Sequence, residues 1–507
     1  MTSGGALRAH ILALSARGDQ LRADRRSTVT GLAPMSFSSR WSLAAFLLIL
    51  PVAAAAAQQE AAPGGASRAA LVDRLDSIAT DYLATARVSG VTVAVVRGRD
   101  TLLLEGYGER DREKHLAADA NTVYRTGSIT KQFTAAALMR LVERGAVKLG
   151  DPITTYLPQY PQWSSVTVRQ LLNHTSGIRS YTASPTWRAR WADDLTPAQI
   201  VAFVEKDPLD FPPGSEFRYN NTAYVLLGML LEQVTHQPYG TLLEKEFFAP
   251  LGMRSAAYCP SKPTDAAYAV GYTKDGAALK PAPYLSMTHP FAAGALCMSV
   301  PDYLRWQSAL HSGRVVSGKG VALMAGPETL TVGTRKGTAT GYGMGLVTST
   351  LGTHAVIQHG GDIHGFASQQ YWFPADSLRV VTFVNTDGAN QDWLAKNLAS
   401  AVLGLPVTPI RPPVVPIGAA ELAKFQGDYD IAVPDGRILP FKVFVENGAL
   451  MGQAAGQGKT PLNYLGSDTF GADFDITMRL VFAVENGRVA GAKLLQRGTT
   501  MNVTRRP

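Results

Sequence analysis

Residues 406–416 read Pro-Val-Thr-Pro-Ile-Arg-Pro-Pro-Val-Val-Pro, five prolines in eleven positions. Proline fixes φ and has no backbone donor, so neither a helix nor an interior strand runs through such a stretch. It makes a semi-rigid spacer. The 507-residue chain therefore divides there, and its length suits two folded units: residues 68–404, a linker over 405–418, and residues 419–507. The last segment alternates apolar and polar residues around Asn447-Gly448 and Asn486-Gly487. That pattern predicts a small all-β, barrel-like domain.

The larger unit opens with an amphipathic helix from Ser67 to about Arg87, carrying Leu71, Leu75, Ile78 and Tyr82 on one face. Val91–Arg97 and Thr101–Tyr107 are strand-like runs around a turn at Gly98-Arg99-Asp100. Residues 128–255 are mostly helical. Strand patterns return at Gly341–Val347, His354–Gln358, Ser368–Phe373 and Arg379–Asn385, and a helix follows at about 389–403. The predicted class is α/β of the α+β type, an antiparallel sheet flanked by helices with a helical insert.

Residues 41–57, behind Arg40, are an apolar run ending in five alanines. A basic flank, a short apolar core and small residues make a signal peptide over 35–57. The run carries Pro51 and falls short of the ~20 apolar residues of a spanning helix. The expectation is an exported protein, periplasmic or secreted, with no stable membrane span after cleavage. Residues 1–34 have no hydrophobic period and read as a non-structural upstream extension, with Met35 as the start. The formal net charge is +8, half of it in residues 1–57, and no basic cluster is interleaved with aromatics, so a nucleic-acid partner is not expected. Cys259 and Cys297 lack metal-ligand spacing. They suit a disulfide in an oxidising compartment and equally two separate small core residues.

Chemistry concentrates in three places. Ser128-Ile-Thr-Lys131 begins an apolar helical run and is the sole Ser-x-x-Lys in the chain. On a helix, 128 and 131 lie one turn apart on a shared face. A serine hydroxyl needs a base, and a buried lysine kept neutral can be one. Tyr219-Asn220-Asn221 precedes another helix; Tyr219 suits proton relay and Asn221 an amide of the substrate. A capping asparagine beside a core tyrosine explains this segment equally well. His359-Gly360-Gly361 closes a strand, and its glycines would let a substrate backbone approach the strand edge. His311-Ser312-Gly313 has the same spacing but reads as a helix end.

Ser128-x-x-Lys131, Tyr219-x-Asn221 and His359-Gly-Gly, in that order, resemble the serine β-lactamase-like, penicillin-binding protein superfamily, nearest its class C branch. Tyr124-Arg-Thr-Gly-Ser-Ile-Thr-Lys-Gln-Phe-Thr134, Leu171-Leu-Asn-His-Thr-Ser-Gly177, Phe211-Pro-Pro-Gly214 and Leu251-Gly-Met253 are similar too. The resemblance covers about 70–404, and 419–507 is similar to the small barrel many such proteins append. It implies an acyl-enzyme on Ser128, with Lys131 and Tyr219 managing protons and Asn221, His359, Gly360 and Gly361 holding substrate. The backbone N–H groups of Ser128 and Asp362 would form the oxyanion site. No cofactor or metal is implied. Where β-lactamases carry Lys-Thr-Gly, this chain has His359-Gly360-Gly361. Losing the permanent cation and the threonine hydroxyl points toward esters or D-amino-acid amides and peptides, cell-wall-derived ones among them. The alternatives are a true β-lactamase, a non-catalytic penicillin- or peptidoglycan-binding or sensor protein, and a metal hydrolase built on His354, His359, Asp362 and His364. Asn173-His174-Thr175-Ser176-Gly177 reads as a structural turn, and His364 as a solvated loop residue.

Overall fold

The computed structural model describes residues 67–261, 265–275, 278–326, 341–410, 414–433, 438–472, 475–496 and 499–506. The expected upstream extension and signal peptide lie outside the described residues. The first helix, α1 (Arg68–Ala86), starts where Ser67 Oγ accepts the Ala70 N–H, the usual way to satisfy a donor at a helix start. Strands β1 (Gly90–Arg97) and β2 (Asp100–Asp111) form the expected hairpin, followed by β3 (Leu116–Ala117) and β4 (Tyr124–Arg125).

The helical insert holds α2 (Thr130–Glu143), α3 (Val168–Leu172), α4 (Pro197–Val201), α5 (Asn221–Thr235) and α6 (Tyr239–Leu243). Then come β5 (Ala257–Tyr258), β6 (Tyr272–Asp275), β7 (Ala278–Pro281), α7 (Phe291–Gly294), β8 (Leu296–Met298), α8 (Val300–His311) and α9 (Gly318–Ala325). The chain returns through β9 (Gly341–Tyr342), β10 (Val347–Leu351), β11 (His354–Ile363), β12 (Phe366–Phe373) and β13 (Leu378–Val384), and ends this part with α10 (Gln391–Leu403).

The main sheet is antiparallel, in the order β3-β2-β1-β13-β12-β11-β10-β9. Strand alternation sorts side chains between its two faces. Val91, Val93 and Val95 pack with Leu75, Tyr82, Leu394 and Leu398 of α1 and α10. Ala94, Val381 and Phe383 pack with Phe133, Leu226 and Trp306 of the helical side. Among the described residues, no helix is long and apolar enough to cross a membrane.

Two readings need correction. Gly341–Val347 is not a continuous strand: the Gly343 N–H to Leu346 O bond (2.8 Å) closes a turn between β9 and β10. His359-Gly360-Gly361 does not end a strand either. β11 continues to Ile363, held by pairing with β12 from Ile357↔Trp372 to Ile363↔Phe366, because tertiary pairing overrides glycine's weak strand preference.

β4, β8 and β5 form a separate small sheet. The structure settles the cysteine question for pairing: Cys259 and Cys297 form a disulfide with Cα atoms 5.1 Å apart. It braces β8, whose register partner Arg125 lies three residues before Ser128. Closing a loop of 38 residues should stabilise the fold by about 4 kcal/mol on the chain-entropy account. Full reduction, checked by thiol titration, should therefore lower the urea midpoint; an unchanged midpoint would count against that role.

The C-terminal part is a closed eight-stranded barrel over Gly427–Arg505. Phe425, Tyr429, Phe470, Leu480 and Phe482 fill it. Its hairpins at Asn447-Gly448 and Asn486-Gly487 place both residues at positive φ, the geometry that two-residue turns between antiparallel strands favour.

Candidate active site

Ser128 sits on a 3-10 turn, Gly127–Ile129, between β4 and α2. Gly127 has φ 53°, and a Cβ there would stand 3.1 Å from Asp362 N, so the turn lies directly on β11. The contact is reciprocal. A Cβ on Gly361 would stand 2.1 Å from Thr126 O and 2.9 Å from Ser128 N. Gly361 is thus small because the protein's own backbone fills the space, not a substrate's. β11 pairs with β10 only as far as Gln358, so from His359 onward one edge has no strand partner among the described residues. Extended peptides add to such edges.

Lys131 is fully buried. Its Nζ lies 3.1 Å from Ser128 Oγ, 2.9 Å from Asn221 Oδ1 and 2.8 Å from Ala293 O. Burial holds its pKa well below the ordinary lysine value. The rings of Tyr219 (4.7 Å) and Tyr224 (5.4 Å) favour the cation modestly, but desolvation outweighs them. A neutral amine has two N–H groups and a lone pair. Two of its three partners are carbonyl oxygens that only accept. They take both N–H groups, which leaves the lone pair facing Ser128 Oγ–H.

Asn220, not Asn221, caps α5: its side chain accepts the Ala223 N–H at 2.8 Å. Asn221, the first helical residue, turns its Oδ1 to Lys131. The capping explanation therefore applies to the neighbour, and Asn221 holds the lysine. Burial pushes the pKa of the Tyr219 hydroxyl up, and the neighbouring Ser128 side chain pulls it part of the way back, although 37% of the residue is open to solvent.

His174, read from sequence as part of a structural turn, holds this segment from both sides. Its carbonyl accepts the Arg218 N–H (2.9 Å) and its Nδ1 the Asn220 N–H (3.2 Å). Its ring lies 4.4 Å from the Tyr219 ring. Burial, with Lys131 and His359 nearby, keeps it neutral. No sequence signal tied His174 to Tyr219, since the contact is long-range.

His359 is also buried, and its pKa is pushed down to about 4 by desolvation and the field of Lys131. Nδ1 faces the Gly360 carbonyl at 2.6 Å and Nε2 the Tyr342 hydroxyl at 3.0 Å. A carbonyl only accepts, so the ring proton is assigned to Nδ1, and Nε2 accepts from Tyr342. This histidine presents no cation at neutral pH. Tyr342 was not singled out in the sequence; its ring also lies 4.5 Å from His174 and 6.1 Å from Tyr219. Gly360 and Asp362 follow on β11, and the Asp362 side chain is exposed.

The four groups of the metal reading do not converge. His354 pairs with Asp376 at 2.9 Å, His364 Nδ1 faces Pro283 O at 3.2 Å, and 354 and 359 alternate to opposite faces of β11. His364 is half-buried rather than a solvated loop residue, packing edge-on to Trp191 at 4.3 Å. Among the described residues, no three potential ligands cluster.

Comparison with known proteins places the chain in a family. The family model described as Beta-lactamase matches residues 75–405. A penicillin-binding protein of Bacillus subtilis named PbpX is 29% identical over 276 residues, 54% of this chain and 66% of that protein, just under two thirds of its length. The octameric penicillin-binding protein homologue from Pyrococcus abyssi has a TM-score of 0.63 at 26% identity, covering 85% of this chain and 99% of its own. A D-stereospecific amidohydrolase from Streptomyces sp. has a TM-score of 0.58 at 28% identity, covering 67% and 100%.

Proposed function

Because the chain belongs to the Beta-lactamase family, we propose that it is a serine hydrolase working through an acyl-enzyme on esters or on D-amino-acid amides and peptides. The observation that carries this reading is the three-way setting of Lys131 Nζ, with two carbonyls and Ser128 Oγ as its neighbours. Ser128 Oγ attacks the substrate carbonyl carbon while its proton passes to Lys131. The oxyanion is held between the backbone N–H groups of Ser128 and Asp362, each such donor being worth ~3 kcal/mol in the transition state. Collapse breaks the C–O or C–N bond, and Tyr219 and Lys131 return a proton to the leaving group. Water then takes the place of the serine oxygen. Asn221 holds Lys131, and the open edge from His359 to Asp362 binds the substrate backbone.

Two observations support the substrate preference. His359 offers no cation where a β-lactam carboxylate would need one, and the similar Streptomyces protein is a D-stereospecific amidohydrolase. The disulfide supports export to an oxidising compartment.

The test is turnover of an activated ester, D-phenylalanine amide and a chromogenic cephalosporin by the full protein, with intact mass after brief ester exposure. The expected result is a single acyl adduct, with ester or amide cleaved faster than the cephalosporin. Cephalosporin cleaved fastest would favour a β-lactamase, and a folded protein acylated by none would favour a binding protein.

His174 should matter here through Tyr219. His174→Ala is expected to lower the ester turnover number about 10- to 100-fold, the scale of a small misplacement at a reacting group. His174→Asn keeps an acceptor near Nδ1 and tolerates the φ of 63°, so it should recover most of the rate. Equal loss in both variants would remove the positioning role.

A further inference from the structure

A cleft of about 590 Å³ opens beside β4 and the end of β11. It lies within the ~300–1,000 Å³ range of small-molecule sites. None of Ser128, Lys131, Tyr219, Asn221 or His359 lines it. Its walls include Tyr268, Pro283, Tyr284 and Phe366, together with Arg125 and His364. Tyr124 of β4 points into the core, so Arg125, next along the strand, projects to the opposite side, into the cleft.

Arg125 has an unusual setting. It is largely desolvated, and burial lowers its pKa. Of its five N–H donors, the one bond to protein among the described residues is from a guanidinium nitrogen to Leu285 O at 3.4 Å, near the limit for a hydrogen bond. The Phe366 ring lies 6.0 Å away. Among the described residues, no carboxylate pairs with Arg125. Lys114 and Asp111 also reach the cleft but pair with each other at 3.0 Å. Asp265 at the rim accepts the Ala267 N–H. His364 is held toward its neutral form by burial. Arg125 is thus the one permanent cation among the described lining residues that lacks an acidic partner. A desolvated cation without a counter-charge is costly, and a guanidinium fork matches a carboxylate bidentately.

We propose that this cleft binds a free carboxylate of the substrate, carried next to an apolar or aromatic group, with Arg125 as its anchor. The proposal rests on the hydrolase reading for the word substrate, but the binding site stands on its own geometry. Arg125 is three residues from Ser128, so their Cα atoms are at most ~11 Å apart, and a molecule of amino-acid or dipeptide size reaches both. This cation lies on β4 in a cleft that His359 does not line, so it does not replace a charge at the His359 position of β11.

The test uses the full-length Ser128→Ala protein, which binds without turnover, and compares N-acetyl-D-phenylalanine with its uncharged amide by calorimetry. The expected result is at least about 30-fold tighter binding of the acid, the scale of a desolvated charge pair, and loss of that preference in Ser128→Ala/Arg125→Gln. Equal affinity for acid and amide overturns the proposal whether or not the Arg125 variant folds. So does a preference that survives Arg125→Gln. If acid binding fails while wild type still forms an acyl adduct, the subsite is wrong and the hydrolase reading stands. If acid binding succeeds and no adduct ever forms, the reverse holds.

Discussion

Replacing Ser128 by alanine is expected to abolish covalent labelling by a fluorophosphonate and to lower the turnover number about 10⁴-fold or more, the range seen when a nucleophile is removed from a hydrolase. In wild type the Ser128 oxygen bonds to phosphorus and fluoride leaves, giving a stable adduct readable by intact mass. Other serines near the site are poorly placed to substitute. Ser180 Oγ accepts the Asn221 N–H and pairs with Thr182, and Ser368 Oγ donates to Thr126 O. None of the three contacts of Lys131 Nζ involves either. The fold should be nearly indifferent, because Ser128 is only partly buried and the turn is set by Gly127 packed on β11. A melting temperature close to wild type, with no adduct, is the predicted pair of results. Equal labelling of both proteins would place the reactive group elsewhere and sink the mechanism.

What could be read from the sequence was what local spacing governs. Ser128 and Lys131 meet because three residues make nearly one turn, whatever the rest of the chain does. The barrel was legible because Asn-Gly in two-residue turns forces antiparallel neighbours. The failures lie where pairing across the chain decides. Gly360-Gly361 looked like a strand end, yet seven register pairs carry β11 through them. The tandem Asn220-Asn221 gave no local sign of which residue would cap and which would face the lysine. The cysteines stayed ambiguous because only the shared partnering of β5 with β8 brings positions 38 apart together. His174 and Tyr342 escaped for the same reason: each reaches Tyr219 from a different segment.

Lys131→Met should uncouple activity from folding. Methionine keeps most of the length of the side chain and its packing against Tyr219 and Tyr224 but has no amine, so Ser128 loses the base that faces its proton. Loss of a general base of this kind costs about 10²- to 10⁴-fold, and the rate of fluorophosphonate labelling should fall by that amount with Ser128 still present. Stability should change little, because two effects oppose each other. Asn221 Oδ1 and Ala293 O lose their donor, at ~1–3 kcal/mol each if they stay dry, while the fold no longer has to desolvate an amine. The pH profile separates a base from a merely structural lysine. In wild type the labelling rate should rise with pH as Lys131 loses its proton. That limb should lie well below the ordinary lysine value, because burial disfavours the charged form. His359, already neutral above about 4, should add no inflection near pH 6.5. In Lys131→Met the limb should vanish, leaving a slow rate that does not follow the amine. A variant that labels at the wild-type rate, or keeps the same limb, would show that another group takes the proton and that the buried lysine only holds the site together.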